Sequence, residues 1–417
     1  MTTTTAPPQP EATDNAGALG SAVRDYVARL RGGDTGSLPA VLGFVVLVVL
    51  FSVSSEAFTS KLNWANLLNQ SAAYVFIAMG LVFVLLLGEI DLGAGFTAGT
   101  AAAIMGVFMT QRGYAWPIAV VACIVTGAVI GLTIGILVAR LGIPSFVVTL
   151  AYFLGLQGVL LLVIREGGTI PIRDKTILAI NNNNLSPLLG WVLFLLVVGG
   201  YAALAFGAMA RRRAAGLPTA APVVIAAKVG ALAVLLGFGT VLLNQERSVN
   251  PALNSLRGVP LIVPITIVFV IALTFVLTRT TFGRHVYAVG GNAEAARRAG
   301  INVGNIKIAC FVIGSTMAAI GGILIASRDN SVSPQSGGSS TLLLSVAAAV
   351  IGGTSLFGGK GRIIDAVIGG LVIGVIYNGL PLITQKAGIQ FVVTAGVLLL
   401  AASVDAIARR RAAAAGR

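Results

Sequence analysis

The sequence predicts an all-α integral membrane protein, a polytopic bundle of about 10–12 transmembrane helices with broken helices among them. Three observations carry that prediction. Of the 417 residues 56% are hydrophobic, and the mean hydropathy is +0.94. Only 10% are charged, where a soluble domain carries about a quarter, and 28 basic with 14 acidic side chains cannot cover a water-exposed surface of ordinary size. The apolar residues also fall in runs of about 20, the length a helix needs to cross ~30 Å of hydrocarbon.

Along the chain, residues 1–37 open with MTTTTAPPQPEATDNAG. This stretch is too poor in apolar side chains to bury a core, and it is expected to be a disordered cytoplasmic tail. It lacks the basic start and short apolar segment of a signal peptide, so the first apolar run, near 38–53, is expected to stay in the protein. Further runs lie near 70–88, 92–110, 117–139, 144–164, 188–208, 222–243, 259–278, 305–327, 341–357, 363–381 and 389–407. Two are irregular: 341–357 is short and starts among Ser and Gly, and 70–110 also reads as one broken unit. The membrane domain is therefore expected over 38–407, followed by a basic cytoplasmic tail at 408–417.

Charge orients the spans. If the chain starts in the cytoplasm and crosses twelve times, 19 of the 28 basic residues fall on inner segments and 9 on outer ones, as the positive-inside bias requires. Both termini are then cytoplasmic. The net charge of +14 does not indicate nucleic acid, because the basic residues are scattered singly or in triplets between apolar runs. Cys123 and Cys310 lie far apart inside such runs and read as small buried side chains. One histidine, His285, cannot build a metal cluster, and beside Arg284 it reads as neutral or solvent-facing. Gly127, Gly131 and Gly135 share one helix face, where small residues let two backbones approach in lipid.

Four segments stand out from the apolar background. GEIDLGAG at 88–95 sets Glu89 and Asp91 between two long apolar runs. One reading is a tight interfacial turn in which Asp91 caps a helix starting at Leu92. The other is a broken helix lining a substrate path, since an intramembrane carboxylate is expensive and usually functional. IGGTSLFGGKG at 351–361 also joins two apolar runs, and GIQFVVT at 388–394 echoes GIPSFVVT at 142–149, a weak internal repeat of the kind common in transporters. The glycines near Lys360 do not form a phosphate loop. Gly353 and Gly358 have the right separation, but Lys360 comes one residue late and Gly361 stands where Ser or Thr is required. The fourth segment, at 278–303, is amphipathic, and NAEAARRA within it predicts a short helix. Asn292 is its N-cap, Glu294 complements its positive end, Arg297 and Arg298 its negative end, and Gly300 stops it. Ala293, Ala295, Ala296 and Ala299 make a smooth surface that suits a groove on another protein, or else belong to an ordinary solvated helix.

FGRHVYAVGGNAEAARRAGINV at 282–303 resembles the cytoplasmic coupling loop of the membrane subunits of bacterial ABC sugar importers, the ribose- and xylose-type permeases. GEIDLGAG, IPSFVVTLA at 143–151 and VIGGTSLFGG at 350–359 resemble three further motifs of that family, in the same order. GGTIP ending at Pro171, the basic loop RRRAAGLP at 211–218 and an additional apolar run resemble the longer, xylose-type permeases. The resemblance implies a permease domain over 38–407 with its coupling loop at 279–304. It implies two copies forming a pathway in the bacterial cytoplasmic membrane, and an ABC ATPase subunit docking on Asn292, Glu294, Ala295, Ala296, Arg297, Gly300 and Ile301. A periplasmic or lipid-anchored sugar-binding protein would deliver a monosaccharide, D-xylose before ribose. The chain itself would bind no cofactor and catalyse no reaction, with ATP and Mg used by the partner.

An uncharged pentose needs hydrogen-bonding groups matched to its hydroxyls and an aromatic face. Besides Glu89 and Asp91, the candidates inside spans are Tyr74, Thr97, Tyr152, Gln157, Tyr377 and Asn378, each of which also suits a helix–helix hydrogen bond or an interface anchor. Two other classes remain in view. An ion-coupled secondary transporter would have to use Glu89 and Asp91, because Asp365 and Asp405 fall at span edges. A membrane-embedded enzyme would want paired acid–base or metal ligands, and the sequence offers almost none.

Overall fold

The computed structural model describes residues 36–396 apart from 166–167, 249 and 252–254, together with residues 20, 24, 399 and 403. The tail predicted over 1–37 lies outside the described residues but for a few positions, and that over 408–417 lies wholly outside them. Eight helices are long and apolar enough to cross a membrane. They are α2 (Lys61–Leu86), α4 (Trp116–Ala139), α5 (Ser145–Ile164), α7 (Pro187–Ala214), α8 (Pro222–Asn244), α9 (Ile262–Arg279), α12 (Val303–Asp329) and α14 (Ile363–Ile383). Shorter helices occupy the remaining predicted positions: α1 (Leu38–Ser54), α3 (Ala94–Gly106), α13 (Ser339–Gly352) and α15 (Ala387–Gly396). Three more are not spans: α6 (Lys175–Asn182), α10 (Thr281–Gly291) and α11 (Ala293–Arg298). The protein is thus an all-α, multi-pass membrane protein, and its described strands are two residues long, Ile170–Pro171 paired antiparallel with Ser331–Val332.

Helix starts follow the local sequence. Ser60, Asp174, Ser186, Thr280, Asn292 and Asn302 each accept a hydrogen bond from a first-turn N–H of the helix that follows, satisfying one of the donors every helix start leaves open. Pro117, Pro187 and Pro222 sit in the first turns of α4, α7 and α8, where proline's missing N–H does no harm.

The core is built around α2 and α12. The two pack along each other, α14 and α13 cover α2, and α3 and α4 cover α12. The glycine face of α4 explains its approach to α12. A Cβ at Gly127 would stand 2.6 Å from the Ala319 Cβ, one at Gly131 2.4 Å from the Phe311 carbonyl oxygen, and one at Gly135 2.8 Å from the Ile308 Cα. With no side chain on three successive turns, backbone meets backbone and dispersion contacts replace the hydrophobic force that lipid removes. Cys123 and Cys310 are free and buried, and no grouping that could hold a metal ion occurs among the described residues.

The α7–α8 hairpin stands apart. Its helices pack chiefly on one another, and Leu196, Leu204, Val234 and Phe238 are exposed, as side chains facing lipid tails would be.

Two short helices depart from simple crossing. α3 continues through one π-helical turn, Val107–Gln111. After the strand Ser331–Val332 the chain turns inward instead of running along the end of the bundle, and Ser336, Gly337 and Gly338 press on α3. A Cβ at Gly99 would come within 2.1 Å of the Ser336 carbonyl oxygen, and one at Gly95 within 2.7 Å of that of Gly337. α13 therefore starts inside the bundle, beside the start of α3. The run expected at 341–357 forms the 14-residue α13, about 21 Å at 1.5 Å per residue; it starts two residues early, at Ser339, and stops at Gly352 because Gly353, at φ +122, turns the chain out of the helix.

Candidate functional site at the junction of four motifs

At one end of the bundle, four segments far apart in sequence meet. α2 stops at Leu86, and Gly88, at φ +73, turns the chain in the left-handed region that glycine enters without steric penalty. The peptide of Ile90 is then held by α5: its N–H donates to the Ser145 hydroxyl at 3.2 Å, and its carbonyl accepts from the Thr149 hydroxyl at 3.2 Å. IPSFVVTLA thereby fixes GEIDLGAG. The Glu89 carboxylate pairs with the Lys307 ammonium at the foot of α12.

Asp91 is 1% exposed, and its Oδ1 accepts from the Gly93 N–H at 2.8 Å. The capping expectation holds in kind but shifts in register: the helix begins at Ala94, with Gly93 as its N-cap residue, and Asp91 bonds the turn that leads into it. Its Oδ2 is buried without a hydrogen-bond partner among the described residues. Burial pushes the carboxyl from 3.8 up to about 6, against the pull of the Gly93 and Ala94 N–H groups.

VIGGTSLFGG and the 282–303 segment close the junction. The Gly359 N–H donates to the Leu86 carbonyl at 2.8 Å, ending α2 on the 353–361 loop. Gly290 of α10 lies so close that a Cβ there would stand 1.9 Å from the same carbonyl oxygen. The Tyr287 hydroxyl donates to the Gly361 carbonyl at 2.7 Å.

α11 projects from this junction. The Asn292 side chain accepts from the Ala295 N–H at 2.9 Å. Glu294 bonds Arg297 at 2.7 Å and Arg298 at 3.2 Å on the exposed side. The end is a Schellman closure at Gly300, φ +84, in which Gly300 N–H donates to Arg297 and Ile301 N–H to Ala296, both at 3.0 Å. Ala295 is exposed and Ala296 buried, so the alanine surface divides, with Ala296 seating the helix and Ala295 left facing outward. Beside α11 lies a cavity of about 590 Å³ lined by Arg140, Arg297 and Lys307, where Arg140 bonds Asn305 at 2.7 Å.

The other sequence-predicted residues, Tyr152 apart, lie away from the junction. Tyr74 and Tyr377 face one another edge to face, ring centroids 5.6 Å apart, on a separate cavity between α2 and α14. Asn378 is buried and exchanges amide hydrogen bonds with Asn63 at 2.8 and 2.9 Å, with a further one to Gln70. Thr97 is buried in α3, its hydroxyl without a partner among the described residues. Tyr152 packs its Cβ near Gly93, and Gln157 is exposed on α5. Lys307 is the junction residue that sequence reasoning passed over. It was visible only as one more basic residue at the edge of a span.

Residues 63–402 match the family described as branched-chain amino acid transport system / permease component. The chain is 33% identical over 372 residues to the xylose transport system permease protein XylH of Escherichia coli strain K12, across 89% of this chain and 92% of that one. It is 33% identical over 366 residues to XylH of Haemophilus influenzae, across 88% and 94% of the two chains. The ribose import permease protein RbsC of Escherichia coli strain K12 is 30% identical over 370 residues, across 88% and 92%. These relatives are named as transport permeases, and no solved structure matches. The matched stretch runs from the first turn of α2 past α15 and takes in all four motifs of the junction, and the chain belongs to this family of transport permeases, in its xylose- and ribose-type branch.

Proposed function

We propose that this chain is the membrane-spanning subunit of an ATP-binding-cassette importer that carries a monosaccharide, D-xylose before ribose, across the bacterial cytoplasmic membrane. A separate ATPase subunit, using ATP and Mg, docks on α11. A periplasmic or lipid-anchored binding protein delivers the sugar to the opposite face, and two copies of the chain form the pathway. The junction end, with both termini, faces the cytoplasm. The higher identity to the xylose permeases supports the choice of sugar.

The observation that carries the reading is the convergence of four motifs at the base of α11. A push on that helix has three routes into the bundle: Gly290 against the end of α2, Tyr287 to the loop before α14, and α12, which starts directly after Asn302 and bonds Glu89 through Lys307. Differential binding of ATP then biases a bistable assembly between two openings. Glu89, on which ion-coupled transport would depend, is engaged by Lys307, which favours the ATP-driven reading.

The test is uptake of labelled pentoses and hexoses by bacteria with and without the gene. It is run after ATP depletion, and separately after collapse of the proton gradient with ATP maintained. Gene-dependent xylose uptake that fails only without ATP is the expected result. Uptake that survives ATP loss and stops with the gradient would overturn the proposal.

A further inference from the structure

The second cavity has a volume of about 240 Å³ and is enclosed by α2, the end of α12, the inward-turning loop and the starts of α13 and α14's outer half. At ~30 Å³ per water it has room for about eight waters, which suits one pentose ring and little more. Its lining is unusual for a bundle of this composition. Tyr74, 5% exposed, and Tyr377, 44% exposed, supply aromatic surface from two helices. Arg328 and Asp329, bonded to each other at 2.8 Å, supply a fork of N–H donors and a carboxylate. Gln335 and Ser340 add an amide and a hydroxyl that make no hydrogen bond within the protein among the described residues.

Each part has a chemical reading. A charged side chain is costly in a transmembrane segment and usually marks a substrate path. Here the two charges pair and cancel, so the cavity has no net charge to recruit an ion. An aliphatic amino acid would want an apolar pocket and separated charges for its ammonium and carboxylate. A neutral polyol wants the reverse: alternating donors and acceptors for its hydroxyls, with an aromatic face for its C–H surface. The short α13 also begins at this cavity, with Ser340 and Thr341 of its first turn in the lining.

We propose that this cavity is a monosaccharide subsite within each permease subunit, with Tyr377, backed by Tyr74, stacking the ring and Arg328, Asp329, Gln335 and Ser340 reading its hydroxyls. It rests on the importer reading above and adds a share of sugar selectivity made by the membrane subunit itself.

The test uses the assembled importer in proteoliposomes, with labelled D-xylose and D-ribose as probes, and measures uptake and binding-protein-stimulated ATP hydrolysis side by side. Tyr377→Ala and Asp329→Asn are expected to lower sugar uptake per ATP hydrolysed at least tenfold, with stimulated hydrolysis within about twofold of wild type. Tyr377→Phe, which keeps the ring, is expected to restore uptake. A changed xylose-to-ribose ratio in either variant counts for the subsite. Unchanged uptake in both variants overturns it, and so does a parallel fall of uptake and hydrolysis, which would mark the residues as structural. Absence of ATP-dependent sugar uptake in the wild type is a different result, and it overturns the importer reading and the subsite together.

Discussion

The Glu89 carboxylate is bonded to the Lys307 ammonium across 218 positions of sequence, and the pair ties the break between α2 and α3 to the foot of α12. The two side chains are 15% and 25% exposed, so water screens them only in part.

Removing one partner leaves the other withdrawn from water without its counter-charge, and that penalty exceeds the worth of the pair itself. Glu89→Gln is expected to destabilise the protein by about 1–3 kcal/mol, discounted from the fully buried case because water still reaches both groups. Thermal unfolding in detergent checks this. The exchange of the two residues, Glu89→Lys with Lys307→Glu, is expected to recover part of the loss. A cycle with zero coupling energy would show that the ion pair does not join the two elements.

Gly290 and Gly291 make a matched comparison. A Cβ at Gly290 would collide with the Leu86 carbonyl at 1.9 Å, whereas one at Gly291 meets nothing within 4 Å. Gly290→Ala is expected to force α10 off the end of α2, at about 1–3 kcal/mol, and to abolish uptake, while Gly291→Ala transports normally. Equal behaviour of the two variants would remove the contact from the transmission route.

Ala295 and Ala296 separate docking from folding. Ala295→Trp on the exposed side of α11 is expected to block uptake and ATPase co-purification while leaving insertion and unfolding temperature unchanged. Ala296→Trp enters a filled site and is expected to lower the unfolding temperature as well. Glu294→Lys reverses the charge at the helix's positive end and breaks both arginine pairs, and loss of uptake with normal insertion is expected. Normal transport in Ala295→Trp and Glu294→Lys would sink the docking assignment.

Asp91 makes stability depend on pH. Its folded pKa is raised from 3.8 to about 6, so the folded state binds the proton more tightly than the unfolded one. The contribution is fully present below the unfolded value and is lost as pH rises through 6. Asp91→Asn keeps an oxygen for the Gly93 N–H and has no such titration. Between pH 4 and 7.5 the wild type is therefore expected to lose on the order of 2–3 kcal/mol relative to this variant. Parallel unfolding curves across that range would show that Asp91 is solvated.

The positions of the spans were legible because lipid leaves an uninterrupted apolar run for each helix, and the capping residues Asn292 and Gly300 announced α11 by local chemistry alone. The glycine face of α4 was legible for the same local reason. What lay hidden depends on distant partners. The bonding of Ile90 to Ser145 and Thr149 and of Glu89 to Lys307 has no trace in spacing, because each partner is an ordinary residue in its own segment. The inward turn at 333–338 was masked because Ser and Gly before a span suit a surface loop as well as a close backbone contact. Tyr74 and Tyr377 were named from residue type, but nothing in the sequence showed that they share a cavity with Arg328 and Asp329.

The side-chain-free seam between α4 and α12 has a mechanical consequence. Carbonyl oxygens and Cα atoms fill the space that flexible side chains would otherwise occupy, so the two helices cannot slide or roll without collision and behave as one strut. α12 runs 27 residues, about 40 Å, from beside α11 at Val303 to Asp329 at the sugar-sized cavity. A displacement applied at the α11 end is therefore not absorbed along the way. It arrives at Arg328 as a rigid-body movement, and because Ser336 and Gly337 press on α3 just as closely, the inward turn hands it on to the start of α13.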